Sequence, residues 1–157
     1  MNFLKESMRI AGERVNRERV IEVHNPYTGD CIGSVPKASV DDVQRAFAVA
    51  QGYRPRLSRY ERSEILKRAA TIVVARSEEI SDLITVEAGL CKKDSRYEVG
   101  RVRDVLVFGA NAALQDDGQL FSCDITPHGR QRRVYTQRDP LLGVISAITP
   151  FNHPMNQ

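Results

Sequence analysis

The sequence has no apolar run long enough to span a bilayer, no marked excess of charge of one sign and no closely spaced cysteine pair. Each absence removes a class of function. Over 157 residues, 23 basic side chains face 20 acidic ones, a formal net charge of +3, too balanced to imply a nucleic-acid or membrane partner by itself. The three cysteines, Cys31, Cys91 and Cys123, are odd in number and far apart. They form no C-x-x-C pair and have no histidine at a familiar metal-ligand interval, so neither a disulfide framework nor a metal site is expected. Near the start, Lys5 and Glu6 interrupt the region that a secretory signal would need to keep apolar, and the expected location is the cytoplasm, a reducing compartment.

What remains is an ordinary globular composition, 41% hydrophobic and 27% charged, sufficient to bury one domain-sized core. Two β-prone runs, Val20 to Val23 and Cys31 to Val35, flank the turn formers Asn25-Pro-Tyr-Thr-Gly-Asp30 and predict a hairpin. Ser39-Val-Asp-Asp42 has the form of a capping box, opening a helix that should run to about Gln51. A second box, Ser58-x-x-Glu61, precedes Ile65, Leu66, Ala69, Ala70, Val73 and Val74 at helical spacing. Ser77-Glu78-Glu79 opens a third helix with Ile80, Leu83, Ile84 and Val86 on its apolar side and Gly89 as its stop. A fourth is expected from Ser95 to about Leu114, with Val99, Val102, Leu106 and Ala110 facing the core. Beyond Asp116-Asp117-Gly118, the runs Leu120 to Ile125 and Arg133 to Thr136 predict a second hairpin. Gly143 to Ile148 is a continuously apolar run suited to a central parallel strand. The segment Thr149-Pro-Phe-Asn-His-Pro154 after it should turn into a helix, with Asn152 or His153 at the cap and Pro154 in the first turn.

Several of these segments together resemble the aldehyde dehydrogenase family: Asn25 to Pro36, Arg59-Tyr-Glu-Arg62, Glu87-Ala-Gly89, Glu98-Val99, Pro140 to Ile145 and Thr149-Pro-Phe-Asn152, in the family's order. Within the family, Phe121 to Gly129 and Ile145 to Pro154 are most similar to the phosphonoacetaldehyde dehydrogenases. The resemblance implies an α/β fold, the N-terminal portion of the aldehyde dehydrogenase fold. Residues 1–118 would form the hairpin and helical part of the cofactor-binding domain, 119–138 an oligomerisation arm, and 139–157 the start of a Rossmann-like cofactor domain. It also implies NAD or NADP as cofactor and a homo-oligomer, dimer or tetramer, for the full-length enzyme. In the implied reaction a cysteine thiolate attacks the aldehyde, hydride leaves for the nicotinamide, and an activated water hydrolyses the thioester. The family's nucleophilic cysteine and general-base glutamate would lie C-terminal to Gln157, so the chain by itself is expected to be inactive. An alternative is a non-catalytic interaction or oligomerisation remnant.

On the resemblance, Asn152 falls on the family's oxyanion-hole asparagine. An amide donates to a developing oxyanion without titrating, although the residue pattern alone favours an ordinary helix N-cap. Ile148, Thr149, Pro150 and Phe151 correspond to the wall on the nicotinamide side, or are simply the end of a buried strand. Arg101 shares a row of the fourth helix with Val105, Phe108 and Ala112, whereas Arg103 aligns with Arg96 and Val107. In the family this helix borders the substrate tunnel. Arg101 could there pair with a phosphonate or carboxylate on the aldehyde, with His153 as a second donor, or be a snorkelling surface arginine beside an exposed histidine. The Arg130-Gln-Arg-Arg133 cluster with Arg138 is the best feature for nucleic-acid binding, but Tyr135 alone is placed to stack, and a solvated hairpin face accounts for the charges.

Overall fold

The computed structural model describes residues 3–115, 118–129, 132–137 and 143–156. Asp116, Asp117, Arg130, Gln131, Arg138 and the Pro140-Leu-Leu142 part of the family motif lie outside the described residues. Strands come first. β1 (Leu4–Lys5), β2 (Met8–Ile10), β3 (Glu13–Val15), β4 (Val20–His24) and β5 (Cys31–Pro36) precede α1 (Val40–Gly52), α2 (Arg59–Ala75), α3 (Ser77–Ala88) and α4 (Lys92–Ala112), and the ribbon β6 (Leu120–Ser122) with β7 (Arg133–Tyr135) follows.

The predicted first hairpin is β4 and β5, paired antiparallel, and the sheet is extended by β1, which runs parallel to β5 in the order β1-β5-β4. Inside the turn, Asn25 Oδ1 accepts from the Tyr27 and Thr28 amides at 2.9 and 3.3 Å, and the Gly29 amide donates to the Asn25 carbonyl at 2.8 Å. An Asx side chain that closes its own turn fixes the loop locally. A separate hairpin, β2 with β3, turns through Ala11 and Gly12, both at positive φ, the mirror-image turn that matches strand twist.

Both capping boxes are formed. Ser39 and Asp42 exchange side-chain to backbone bonds at the start of α1, as do Ser58 and Glu61 at the start of α2. Asp42 is also drawn into the interior by a two-pronged pairing with Arg17, whose Nε donates to Oδ2 at 3.0 Å. That guanidinium, with the Ser39 amide, holds the Asp42 carboxyl down at about 2.

The helices α2, α3 and α4 build one core, Val73, Ile84, Val99 and Val102, bordered by Ile80, Ala88, Leu90 and Leu106. Gly89 ends α3 in the left-handed region at φ 73°, and a Cβ there would come within 2.8 Å of Pro26 Cγ, so this glycine also lets the first hairpin's turn sit against the helix end. The fourth helix begins at Lys92, three residues before the expected Ser95. Two lysines in a first turn oppose the helix dipole, but Lys92 Nζ is held by Ser81 Oγ at 2.6 Å and faces Asp82 and Glu78. Arg96 adds a two-pronged pair with Glu78 at 2.9 and 3.0 Å, which holds the Glu78 carboxyl below its ordinary range. Ser95 lies inside the helix, buried, at 2.8 Å from Thr85 Oγ1. These contacts fix how α4 lies on α3.

Two expectations are corrected. Residues 143–150 contain no strand, and Ile145 and Ile148 are exposed, because no described residue offers them a ladder partner. Residues 151–156 form turns rather than the start of a helix. The second hairpin forms, shorter than its sequence runs, with both strands exposed on each face.

Candidate functional site

A buried side chain of α4 accepts hydrogen bonds from the turn of residues 151–156. Glu98, only 1% exposed, lies on the buried row of α4 with Ser95, Val99 and Val102. Its Oε1 accepts from the Met155 and Asn156 backbone amides at 3.2 and 3.0 Å, and its Oε2 lies 3.0 Å from His153 Nδ1. A carboxylate buried to this degree is tolerable only with its oxygens satisfied. Here the turn supplies three donors.

This arrangement settles who caps the turn. An asparagine at position 152 acting as N-cap would accept from the amides two or three residues into the turn. Pro154 has no N–H to give, and the Met155 and Asn156 amides already donate to Glu98. The capping acceptor therefore comes from α4, not from Asn152 or His153. Among the described residues the Asn152 side chain is exposed and finds no hydrogen-bond partner.

Arg101 is one helical turn beyond Glu98 on α4. Its guanidinium lies over the Tyr97 ring, 5.9 Å from the centroid, and with the Asn156 amide turned oxygen-first that oxygen is 3.1–3.2 Å from Nε, Nη1 and Nη2 alike. An atom equidistant from all three nitrogens sits over the face of the guanidinium plane. The N–H fork, which points outward in the plane, is not consumed by this contact. Arg103 instead pairs with Asp104 at 2.8 Å. The predicted row of Arg101 with Val105 and Phe108 is real but exposed, with Phe108 at 70%. His153 is partly exposed, and with Nδ1–H committed to Glu98 its Nε2 can donate only in the imidazolium form.

Thus His153 and Arg101 converge on one turn through Glu98 and Asn156, while Asn152 stands on the same turn with its amide unspent. Ile148, Thr149 and Phe151 are exposed, and Pro150 is half-buried. Phe151 also borders an apolar groove of about 510 Å³ lined by Pro26, Ile80, Leu83 and Met155 among others. Glu98 was missed as a functional residue at the level of sequence. The available signal was an acidic residue within a row otherwise destined for the core.

The turn of residues 151–156 docks on a helical layer that follows the β4–β5 hairpin, and the aldehyde dehydrogenase family profile matches residues 13–157. The chain belongs to the aldehyde dehydrogenase family. It is 34% identical over 148 residues to 3-sulfolactaldehyde dehydrogenase of Priestia aryabhattai, covering 94% of this chain and 31% of that protein. It is also 34% identical over 152 residues to lactaldehyde dehydrogenase of Methanococcus aeolicus, covering 95% and 31%. Among solved structures, NADP-dependent glyceraldehyde-3-phosphate dehydrogenase from Bacillus halodurans, complexed with NADP, superimposes with a TM-score of 0.86 at 30% identity, over 98% of this chain and 33% of that one. The chain thus spans about a third of the length of the relatives it matches. No helix of the described residues is long and apolar enough to cross a membrane.

Proposed function

We propose that the whole protein oxidises a small anionic aldehyde, such as phosphonoacetaldehyde, to the carboxylic acid with NAD or NADP as acceptor. The observation that carries this reading is the capping of the 151–156 turn by Glu98, which leaves the Asn152 amide unspent at an exposed position. In the proposed role Asn152 donates to the oxygen that becomes negative when a cysteine thiolate from outside these residues adds to the carbonyl. The bound nicotinamide supplies the hydride acceptor. The surface offered by Ile148, Thr149, Pro150 and Phe151, with Ile148 93% exposed and Phe151 90% exposed, fits an apolar wall for that ring, since such a patch calls for a cover.

Arg101 and His153 are assigned to the anionic end of the substrate. The outward fork of Arg101 suits a phosphonate, sulfonate or carboxylate, and in its imidazolium form His153 adds a second donor. Two of the three relatives named above act on aldehydes that carry an anionic group, and lactaldehyde is neutral. The β6–β7 ribbon, with Leu120, Phe121, Val134 and Tyr135 exposed, is assigned to pairing between subunits of a homo-oligomer, and the three unpaired cysteines suit the cytoplasm.

The test compares the whole protein with its Arg101→Leu variant on phosphonoacetaldehyde and on propanal, with NAD and with NADP. Loss of the paired contact should raise KM for the anionic aldehyde by about tenfold or more and for propanal by less than about twofold. Equal changes on both substrates would remove Arg101 from the substrate site. No turnover of any aldehyde by the unmodified whole protein would favour the non-catalytic oligomerisation role instead.

A further inference from the structure

We propose that Glu22, His24 and Cys31 form a surface site for a zinc-class divalent cation, at the turn end of the first hairpin and independent of the aldehyde chemistry. Their ligand atoms lie within 4.8 Å of one another. His24 Nε2 is already 3.3 Å from Glu22 Oε2. Tetrahedral zinc with bonds of about 2.0–2.3 Å holds its ligands about 3.3–3.8 Å apart, so closing the site needs a rearrangement of about 1 Å in exposed side chains. No backbone has to move.

The backbone builds this cluster through a defect in pairing. Glu22 and His24 project from the same side of β4, two residues apart. In regular register His24 would face Ile32, since Glu22 pairs with Ser34 and Val23 with Gly33. The ladder instead shifts between Val23 and His24 so that His24 pairs with Cys31. A bulge at a strand end re-aims side chains, and here it sets a thiol beside an imidazole and a carboxylate. The apolar side chain that regular pairing would have placed there is displaced.

The histidine is also oriented as metal-bound histidines are. Its Nδ1 is 3.1 Å from the Gly29 carbonyl, which can only accept, so Nδ1–H donates there, and Nε2, now 3.3 Å from the Glu22 carboxylate, is the nitrogen that would give its lone pair to a cation seated between them. A backbone carbonyl behind the far ring nitrogen fixes the tautomer and raises the basicity of the ligating nitrogen. Gly29 is itself tied to Asn25 within the closed turn, so the orienting carbonyl is not a drifting group. Sulfur, nitrogen and carboxylate oxygen together select zinc over the hard cations calcium and magnesium. Cys31 binds as thiolate, releasing its proton to solvent, and water completes the fourth position.

The test uses the full chain and its own second exposed thiol as control. Cys31 and Cys91 are both exposed and unpaired, and alkylation can be mapped to each by mass spectrometry. One equivalent of zinc should slow alkylation of Cys31 by about tenfold or more while leaving Cys91 within about twofold. Magnesium should protect neither. The His24→Ala and Glu22→Gln variants, which alter only exposed side chains, should each lose much of the Cys31 protection. Cobalt in place of zinc should give a thiolate-to-cobalt charge-transfer band that is absent in Cys31→Ser. Equal protection of Cys31 and Cys91, no protection of either, undiminished protection in His24→Ala, or a cobalt band that survives Cys31→Ser would each overturn the assignment.

Discussion

Replacing Glu98 with alanine removes the carboxylate that accepts from the 151–156 turn on α4. A hydrogen bond to a charged acceptor contributes about 1.5–3 kcal/mol, and Glu98 makes three. They do not simply add, because Met155 is 40% exposed and the His153 side chain 38% exposed, so water can replace their bonds. Asn156 is 6% exposed, and its amide has no such replacement. The estimate is therefore about 3 kcal/mol lost from docking, about a hundredfold in the equilibrium at ~1.4 kcal/mol per tenfold. Glu98→Gln keeps one acceptor oxygen of the same reach and should lose about 1 kcal/mol. Hydrogen exchange of the Asn156 amide reads the opening directly, with amides of the Val73, Ile84, Val99 and Val102 core reporting whether the chain remains folded. If Asn156 exchanges as slowly in Glu98→Ala as in the parent while the core stays protected, Glu98 does not hold the turn.

Other perturbations test other parts of the account. Asp42 has a folded-state pKa of about 2, below its ordinary 3.8, chiefly through Arg17. Its stabilisation is therefore complete above the ordinary value and is lost as pH falls through about 2, and Arg17→Ala should raise the Asp42 pKa and flatten this acid limb, read by carboxyl NMR and by Tm against pH. An unchanged Asp42 titration in Arg17→Ala would contradict the pairing. Gly89→Ala forces a Cβ into the left-handed region and against Pro26, which should cost about 1–2 kcal/mol in urea unfolding. A neutral or stabilising result would mean that the turn and helix end do not meet as described.

How much was legible follows from how local each signal was. The capping boxes at Ser39 and Ser58, the stop at Gly89 and the row Val99, Val102, Leu106 and Ala110 were readable because each rests on residues within a few positions of one another. The start of α4 was misplaced because Cys91 offers no side-chain cap and Lys92 opposes the dipole, and its compensation comes from Ser81, Asp82 and Glu78 on another helix. The two-residue strand β1 carries no period to read, and its parallel partner is about thirty residues away. The docking of the turn was hidden for the same reason, since Glu98 and its donors are separated by 55 to 58 residues. At Gly143 to Ile148 the apolar run has the composition of a buried strand, yet a ladder needs a neighbour that no described residue supplies. Asn152 stands out through the family resemblance and Arg101 through its row on the fourth helix, and the structure adds what their contacts leave available. The approach of Cys31 to His24 depends on a one-residue shift in register, which neither spacing nor composition encodes visibly.

The most direct measurement is steady-state aldehyde oxidation by the whole protein carrying Asn152→Ala. Loss of one preorganised donor to the developing oxyanion should lower kcat by about 10²–10³, with a smaller change in KM and with hydrogen exchange at Asn156 unaltered, since Glu98 still caps the turn. A kcat close to that of the parent, with the turn equally well docked, would contradict the role assigned to the Asn152 amide.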